Sequence, residues 1–238
     1  MATSGPELSA ELKTRLAAIG DRIPPHVRLI AVTNTFPGSI IRAAYAEGIR
    51  DFGENKVQES LAKQLELRDL TDVTWHFIGH IQSNKSRKVR EHFDWIHSID
   101  SLKLAARLDR QAGEMNRRPN CCLQVKLLPD PNKDGFDPSE LLAVLPDLDQ
   151  LTQIQIRGLM VILPYGLNPQ QAKSGFLQAR DLASQIDAKG MINVKMDTLS
   201  MGMSGDFESA IAAGSTMVRI GSGLFGERWY SDYIIWVT

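Results

Sequence analysis

Apolar residues follow two alternating rhythms along this chain. Short runs rich in Val, Ile and Leu, such as "VRLIAVT", "WIHSI" and "IRGLMVI", read as strands buried on both faces. Longer stretches such as "KVQESLAKQLELR" and "PQQAKSGFLQARDLASQI" place their apolar residues at helical spacing. In chain order the strand signals are "VRLIAVT", "IRDFGE", "VTWHFIGH", "WIHSI", "CCLQVKLL", "IRGLMVI", "VKMDTLS" and "TMVRIG". A helical signal separates each consecutive pair. Before the first strand, Leu8, Leu12, Leu16 and Ile19 predict an additional helix, with Gly20 as its stop and Pro24–Pro25 blocking continuation. That helix is expected to cover one end of the body.

Eight strand–helix units favour an α/β fold of the TIM (β/α)8 type, with an N-terminal additional helix, as a single domain over residues 1–238. An open doubly wound sheet usually needs fewer strands. Apolar residues make up 43% of the chain, enough for a substantial core. The apolar and aromatic tail "LFGERWYSDYIIWV" is expected to pack back on the body.

Charge narrows the function classes. Lys plus Arg total 27 and Asp plus Glu total 28. This balance argues against bulk electrostatic binding of nucleic acid but leaves room for a local anion site. No run approaches the roughly 20 apolar residues of a membrane span. The N-terminus lacks a signal-type apolar segment, so a cytoplasmic protein is expected. Cys121 and Cys122 are adjacent and should point to opposite faces of a strand, a poor disulfide or metal pair.

Barrel chemistry sits at the C-terminal ends of the strands, and phosphates often bind the loops after strands seven and eight. Here those loops read "TLSMGMSGDF" and "VRIGSGLFG". Their glycines allow close backbone approach, and Ser200, Ser204 and Ser222 add hydroxyls. Arg219 stands inside an otherwise apolar strand, so its charge needs either a ligand acceptor or a buried carboxylate. Glu54 and Asn55 follow strand two, and His76 and His80 are both expected to reach the upper rim. His97 and Asp100 flank strand four. No cluster has zinc-type spacing. The run "SNKSRKVR" reads as a solvated helix face. "LPDPNKDGFDP" reads as a turn that brings Lys133 and Gly135 to a rim.

The segments "HVRLIAVTNTFP", "DFGENKVQE", "WHFIGHIQSNKSRKV", "IHSID" and "LSMGMSGDFESAIAAGSTMVRIGSGLFG" closely resemble the YggS/PROSC-like pyridoxal phosphate homeostasis proteins. The resemblance runs from about residue 27 to 228, and cyanobacterial members are the expected near relatives. It implies a modified TIM barrel like the N-terminal domain of alanine racemase. It also implies a monomer that carries pyridoxal 5′-phosphate (PLP) at the strand C-terminal ends. By position, Ser200, Ser204, Gly221 and Ser222 match phosphate-binding elements. Arg219 matches an arginine near the pyridine nitrogen, which weakens the ring as an electron sink. Asn55 matches a residue near the ring, and His80 and Met203 match residues lining the pocket.

One position departs from the pattern. The family reads roughly "AVTKTFP" at the end of strand one, and its lysine forms the internal aldimine. Here the matching residue is Asn34. An amide nitrogen shares its lone pair with the carbonyl and cannot form that Schiff base. Either a deliberate exchange or a natural loss of the lysine accounts for it. Lys56, Lys85 and Lys133 lie near upper loops, but none occupies the strand-one position. The resemblance therefore implies noncovalent PLP binding and PLP homeostasis, acting on amino-acid and keto-acid balance without catalysis. PLP-dependent apoenzymes are the implied partners; no metal, nucleic acid or membrane is required. A PLP-dependent racemase is the enzymatic alternative, and the missing lysine argues against it. A cofactor-free regulatory protein, using the basic helix at 84–92 and the aromatic tail, is the third class.

Overall fold

A computed structural model describes residues 5–115, 117–129 and 134–226. Eight parallel strands close into a barrel in sequential order: β1 (Arg28–Val32), β2 (Asp51–Glu54), β3 (Thr74–Phe77), β4 (Trp95–Ile99), β5 (Asn120–Val125), β6 (Gln155–Val161), β7 (Val194–Met203) and β8 (Met217–Ile220). Closure is made by β1 against β8, with Ile30 opposite Arg219. The helices are α1 (Gly5–Gly20), α2 (Gly38–Ala46), α3 (Val57–Glu66), α4 (Ser86–His92), α5 (Leu102–Gly113), α6 (Pro138–Leu148), α7 (Pro169–Asp187), α8 (Phe207–Ala212) and α9 (Ser222–Phe225).

Strand alternation sorts the side chains into two cores. Ile30, Trp95, Cys122, Met160 and Met217 come from five different strands and pack together, which places them on the barrel axis. Their neighbours Ala31, Phe52, Cys121, Leu123 and Val218 face the helical layer. The two cysteines thus point to opposite faces, both buried and both free thiols. Helix α7 shows how the outer layer forms. Asn168 and Gln171 make a reciprocal capping box, Pro169 opens the first turn, and Ala172, Phe176, Ala179, Ala183 and Ile186 form the buried stripe. Truncating Phe176 to Ala would cost about 3–5 kcal/mol.

Helix α1 does not cap an end. Leu12 and Ile19 pack with Ile40 and Ile41 of α2 and with Leu224 and Phe225 of α9, on the flank of the barrel. Strand β7 runs to Met203, beyond the predicted "VKMDTLS", whereas β3 stops at Phe77 rather than at His80. The basic run on α4 is not wholly solvated. Arg90 is fully buried, with its guanidinium against Met115. Lys133 and the tail from residue 227 onward lie outside the described residues.

Candidate functional site

Just past the end of β1 the chain enters a turn. Thr33 faces outward, where its hydroxyl donates to Glu54 at 2.6 Å. Asn34 follows in the turn and is buried, 2% exposed. The next residue, Thr35, has φ 72°, an uncommon conformation for a β-branched residue. Its amide donates to Glu59 Oε1 at 2.5 Å. Behind this tip sits Lys63 of α3. Its ammonium donates to the Thr33 carbonyl at 2.9 Å, to both Glu54 oxygens at 2.9 and 3.0 Å, and to Glu59 at 2.7 Å. Burial pushes the Glu54 carboxyl above its ordinary range, partly offset by Lys63 and Thr33. For Glu59, burial opposes but the bonds from Lys63 and the Thr35 amide win, and its carboxyl titrates low. The only sequence signal of Lys63 is its i,i+4 spacing to Glu59, which equally describes a surface pair, so its buried role is not legible in the sequence.

Asn55 follows β2 and is exposed at the rim. Gly79 lets the β3 end pass beneath it, since a β-carbon there would lie 2.3 Å from the Asn55 carbonyl oxygen. His80 also stands on the rim, with its side chain 55% exposed and Nδ1 at 2.9 Å from Asp134 and 3.4 Å from Asp100. Lys56 is exposed and Lys85 half-buried.

The loops after β7 and β8 are joined to each other. Gly202 takes φ 97°, and a β-carbon there would be 2.6 Å from that of Ala210. The turn beyond it is closed by the Met203 amide donating to Asp206 at 2.6 Å. Ser204 Oγ then accepts the Gly223 amide at 3.1 Å, which ties the first loop to the second. Gly221 lies beside Val32 of β1, and Ser222 is exposed. The Phe36 and Phe225 rings meet at 5.2 Å. Asn34, Ser204, Gly221 and Ser222 therefore belong to one side of the mouth, with Met203 at its edge, 38% exposed.

Arg219 is buried beneath this side, 3% exposed. Its guanidinium donates to the Ser200 carbonyl and hydroxyl, both at 2.6 Å, and to the Val161 carbonyl at 2.9 Å. No carboxylate among the described residues pairs with it. Burial lowers its pKa to about 10. Ser200 is fully buried, so its hydroxyl lies under the mouth rather than in it.

His76 does not reach the upper rim as expected. It lies mid-barrel opposite Gly53 and Trp95, fully buried, with Nε2 at 2.8 Å from Asp51 and Nδ1 at 2.9 Å from His97 Nε2. His97 Nδ1 in turn lies 2.8 Å from Ser200 Oγ. Burial lowers the pKa of both imidazoles, well below the ordinary value for His97, where His76 and Arg219 add to it.

The family of the alanine racemase N-terminal domain matches residues 9–228. A pyridoxal phosphate homeostasis protein of Synechocystis is 50% identical over 206 residues, covering 87% of this chain and 94% of that one. One from Pseudomonas aeruginosa is 44% identical over 224 residues, covering 94% of each. This chain belongs to the pyridoxal phosphate homeostasis protein family. Within the family, PipY of Synechococcus elongatus has been solved without PLP and with PLP bound. The PLP-free structure is 55% identical, with a TM-score of 0.87, over 90% of this chain and 100% of PipY; the PLP-bound structure is 54% identical, again with a TM-score of 0.87. An alanine racemase of Clostridium difficile, 14% identical with a TM-score of 0.74, shares the fold. The compared homeostasis proteins are named for the cofactor's balance rather than for a catalysed reaction. No described helix is long and apolar enough to cross a membrane.

Proposed function

We propose that this chain holds PLP noncovalently at the upper mouth and serves PLP homeostasis as a carrier, not as a catalyst. The observation that carries the reading is Asn34: a buried, 2% exposed amide at the strand-one tip, two residues beyond Val32, which Gly221 of the second loop lies beside. The PLP-bound structure of PipY supports PLP as the ligand of this fold.

The residues fit the group chemically. Ser204, Ser222 and the glycine-rich backbone around Gly221 offer neutral donors to a phosphate without a basic patch. Ser200 takes no part in that cup, because its hydroxyl is committed to His97 and Arg219. Arg219 uses three of its five N–H donors on protein oxygens, at 2.6, 2.6 and 2.9 Å. The remaining donors suit an unprotonated pyridine nitrogen. PLP's reactive aldehyde becomes an electron sink when an amine captures it. Asn34 has no such amine, so the cofactor stays releasable. Asn55, His80 and Met203 border the ring side of the mouth in this reading. The released cofactor would pass from a monomer to PLP-dependent apoenzymes, and so influence amino-acid and keto-acid balance.

Equilibrium dialysis against PLP tests this. Saturable one-to-one binding that washes out completely supports it. Absence of saturable binding overturns it.

A further inference from the structure

Four consecutive hydrogen bonds run through the barrel interior from Arg219 to Asp51. Arg219 Nη1 meets Ser200 Oγ at 2.6 Å, and Ser200 Oγ meets His97 Nδ1 at 2.8 Å. His97 Nε2 meets His76 Nδ1 at 2.9 Å, and His76 Nε2 meets Asp51 Oδ1 at 2.8 Å. Ser200, His97 and His76 are fully buried. The two ends lie near opposite mouths of the barrel. Arg219 sits beneath the C-terminal loops. Asp51 also faces Arg28 at 3.5 Å, which borders an open bowl of ≈ 430 Å³ at the N-terminal mouth.

The ends dictate the direction of every bond between them. A guanidinium only donates, and a carboxylate only accepts. Asp51 therefore takes the proton on His76 Nε2. With that nitrogen protonated, a neutral His76 presents Nδ1 as an acceptor, so His97 must donate from Nε2. His97 Nδ1 is then an acceptor, and the only hydrogen that can fill it is the Ser200 hydroxyl. That turns the lone pairs of Ser200 Oγ toward Arg219, which donates into one of them. Each link has one donor and one acceptor, and no buried member is left over. Reversing any one bond would set two hydrogens or two lone pairs against each other.

We propose that His97 and His76 are positioning residues for the PLP mouth, a relay that fixes both imidazoles as Nε2–H tautomers and aims Ser200 to hold the Arg219 guanidinium in place. The proposal rests on reading the mouth as a PLP site. The relay makes Arg219 a donor with a fixed orientation and removes the freedom of the Ser200 hydroxyl to compete with it. Stacking supports the arrangement, since the His76 ring lies nearly parallel to Trp95, at 12° and 6.0 Å between centroids. Neutral imidazoles are required throughout, and burial disfavours their second proton.

Long-range proton–nitrogen NMR of the cofactor-free, histidine-labelled full chain at neutral pH reads the tautomers directly. Signals are assigned by loss in His97→Gln and His76→Gln. Both residues are expected as Nε2–H tautomers. An Nδ1–H tautomer or an imidazolium at either position overturns the relay.

PLP binding supplies the second readout. His97→Leu removes the acceptor for Ser200 and is expected to weaken PLP binding about tenfold and to shift the absorbance band of bound PLP. His97→Gln keeps the direction of the chain, because its carbonyl accepts from Ser200 while its amide donates to His76. It is expected to restore most of the affinity and the original band. Unchanged affinity and spectrum in folded His97→Leu overturn the positioning role. If the unaltered chain fails to bind PLP at all, the reading of the mouth falls, and the tautomers alone decide the relay.

Discussion

Lys63 Nζ donates to the carbonyl oxygen of Thr33 at 2.9 Å, one residue before the amide of Asn34. This amine is thus held on the outward side of β1, clamped by Glu54 and Glu59. Its protons are all engaged, so it cannot replace a lysine at the tip as a nucleophile. Its work is structural: it holds the strand end from behind and helps Glu59 fix Thr35 at φ 72°. Replacing Lys63 by Met should leave Glu54 buried without its cation and destabilise the fold by about 3–5 kcal/mol. Pairing Lys63→Met with Glu54→Gln should recover part of that loss. Denaturant unfolding checks both, and a loss under about 1 kcal/mol in the single variant would contradict the clamp.

The buried histidines predict how stability depends on pH. His76 and His97 titrate below 6.5 in the folded chain, mainly through burial. The unfolded chain takes up protons more readily below that value. Stability is therefore full above about pH 6.5 and falls as pH drops through the folded values, by up to about 1.4 kcal/mol per pH unit for each histidine. His97→Gln should reduce that slope between about pH 7 and pH 5. Equal slopes in the two proteins would mean that His97 is not held neutral. At lower pH a separate loss should appear. Asp69, hydrogen-bonded by Arg42, is lowered from 3.8 to about 2, so its contribution disappears as pH falls through that window.

Gly202 should tolerate no side chain. Its φ of 97° is unfavourable for other residues, and a β-carbon would lie 2.6 Å from that of Ala210 and 2.9 Å from the Phe207 backbone. Gly202→Ala is expected to destabilise by about 2 kcal/mol or more and to weaken PLP binding, because the turn that carries Ser204 must shift. Thermal melting and dialysis check this. An unchanged melting midpoint would show that the loop adapts freely.

Arg219→Met keeps much of the side-chain volume and removes every donor. The carbonyls of Ser200 and Val161 lose their partner, and the ring side of the mouth loses its cation. PLP affinity should drop about tenfold to a hundredfold, with a shift of the bound cofactor's absorbance. Wild-type affinity would place the ring elsewhere.

The architecture was legible because period and order are local properties. Strands such as Trp95–Ile99 and helices such as Pro169–Asp187 carry their own periodicity and caps. Asn34 and the two glycine-rich loops were legible for a different reason: barrel topology sends strand ends to one face. What stayed hidden depends on register and packing. Arg219 turns three of its donors to the Ser200 and Val161 carbonyls and the Ser200 hydroxyl in place of a carboxylate, and no sequence pattern marks a carbonyl. His76 and His97 are 21 residues apart and touch only because β3 and β4 pair with His76 opposite Trp95. Lys63 resembles any helical surface lysine until the buried Glu54 is seen beneath it.

The central claim is that Asn34 leaves an otherwise complete PLP mouth without its covalent anchor. Ultraviolet–visible titration with PLP, followed by borohydride reduction and mass spectrometry, on this chain and on Asn34→Lys tests it most directly. Saturable binding in both, with a reduced adduct only in Asn34→Lys, is the expected result. The same adduct in both proteins would place the amine chemistry on another lysine and contradict the account.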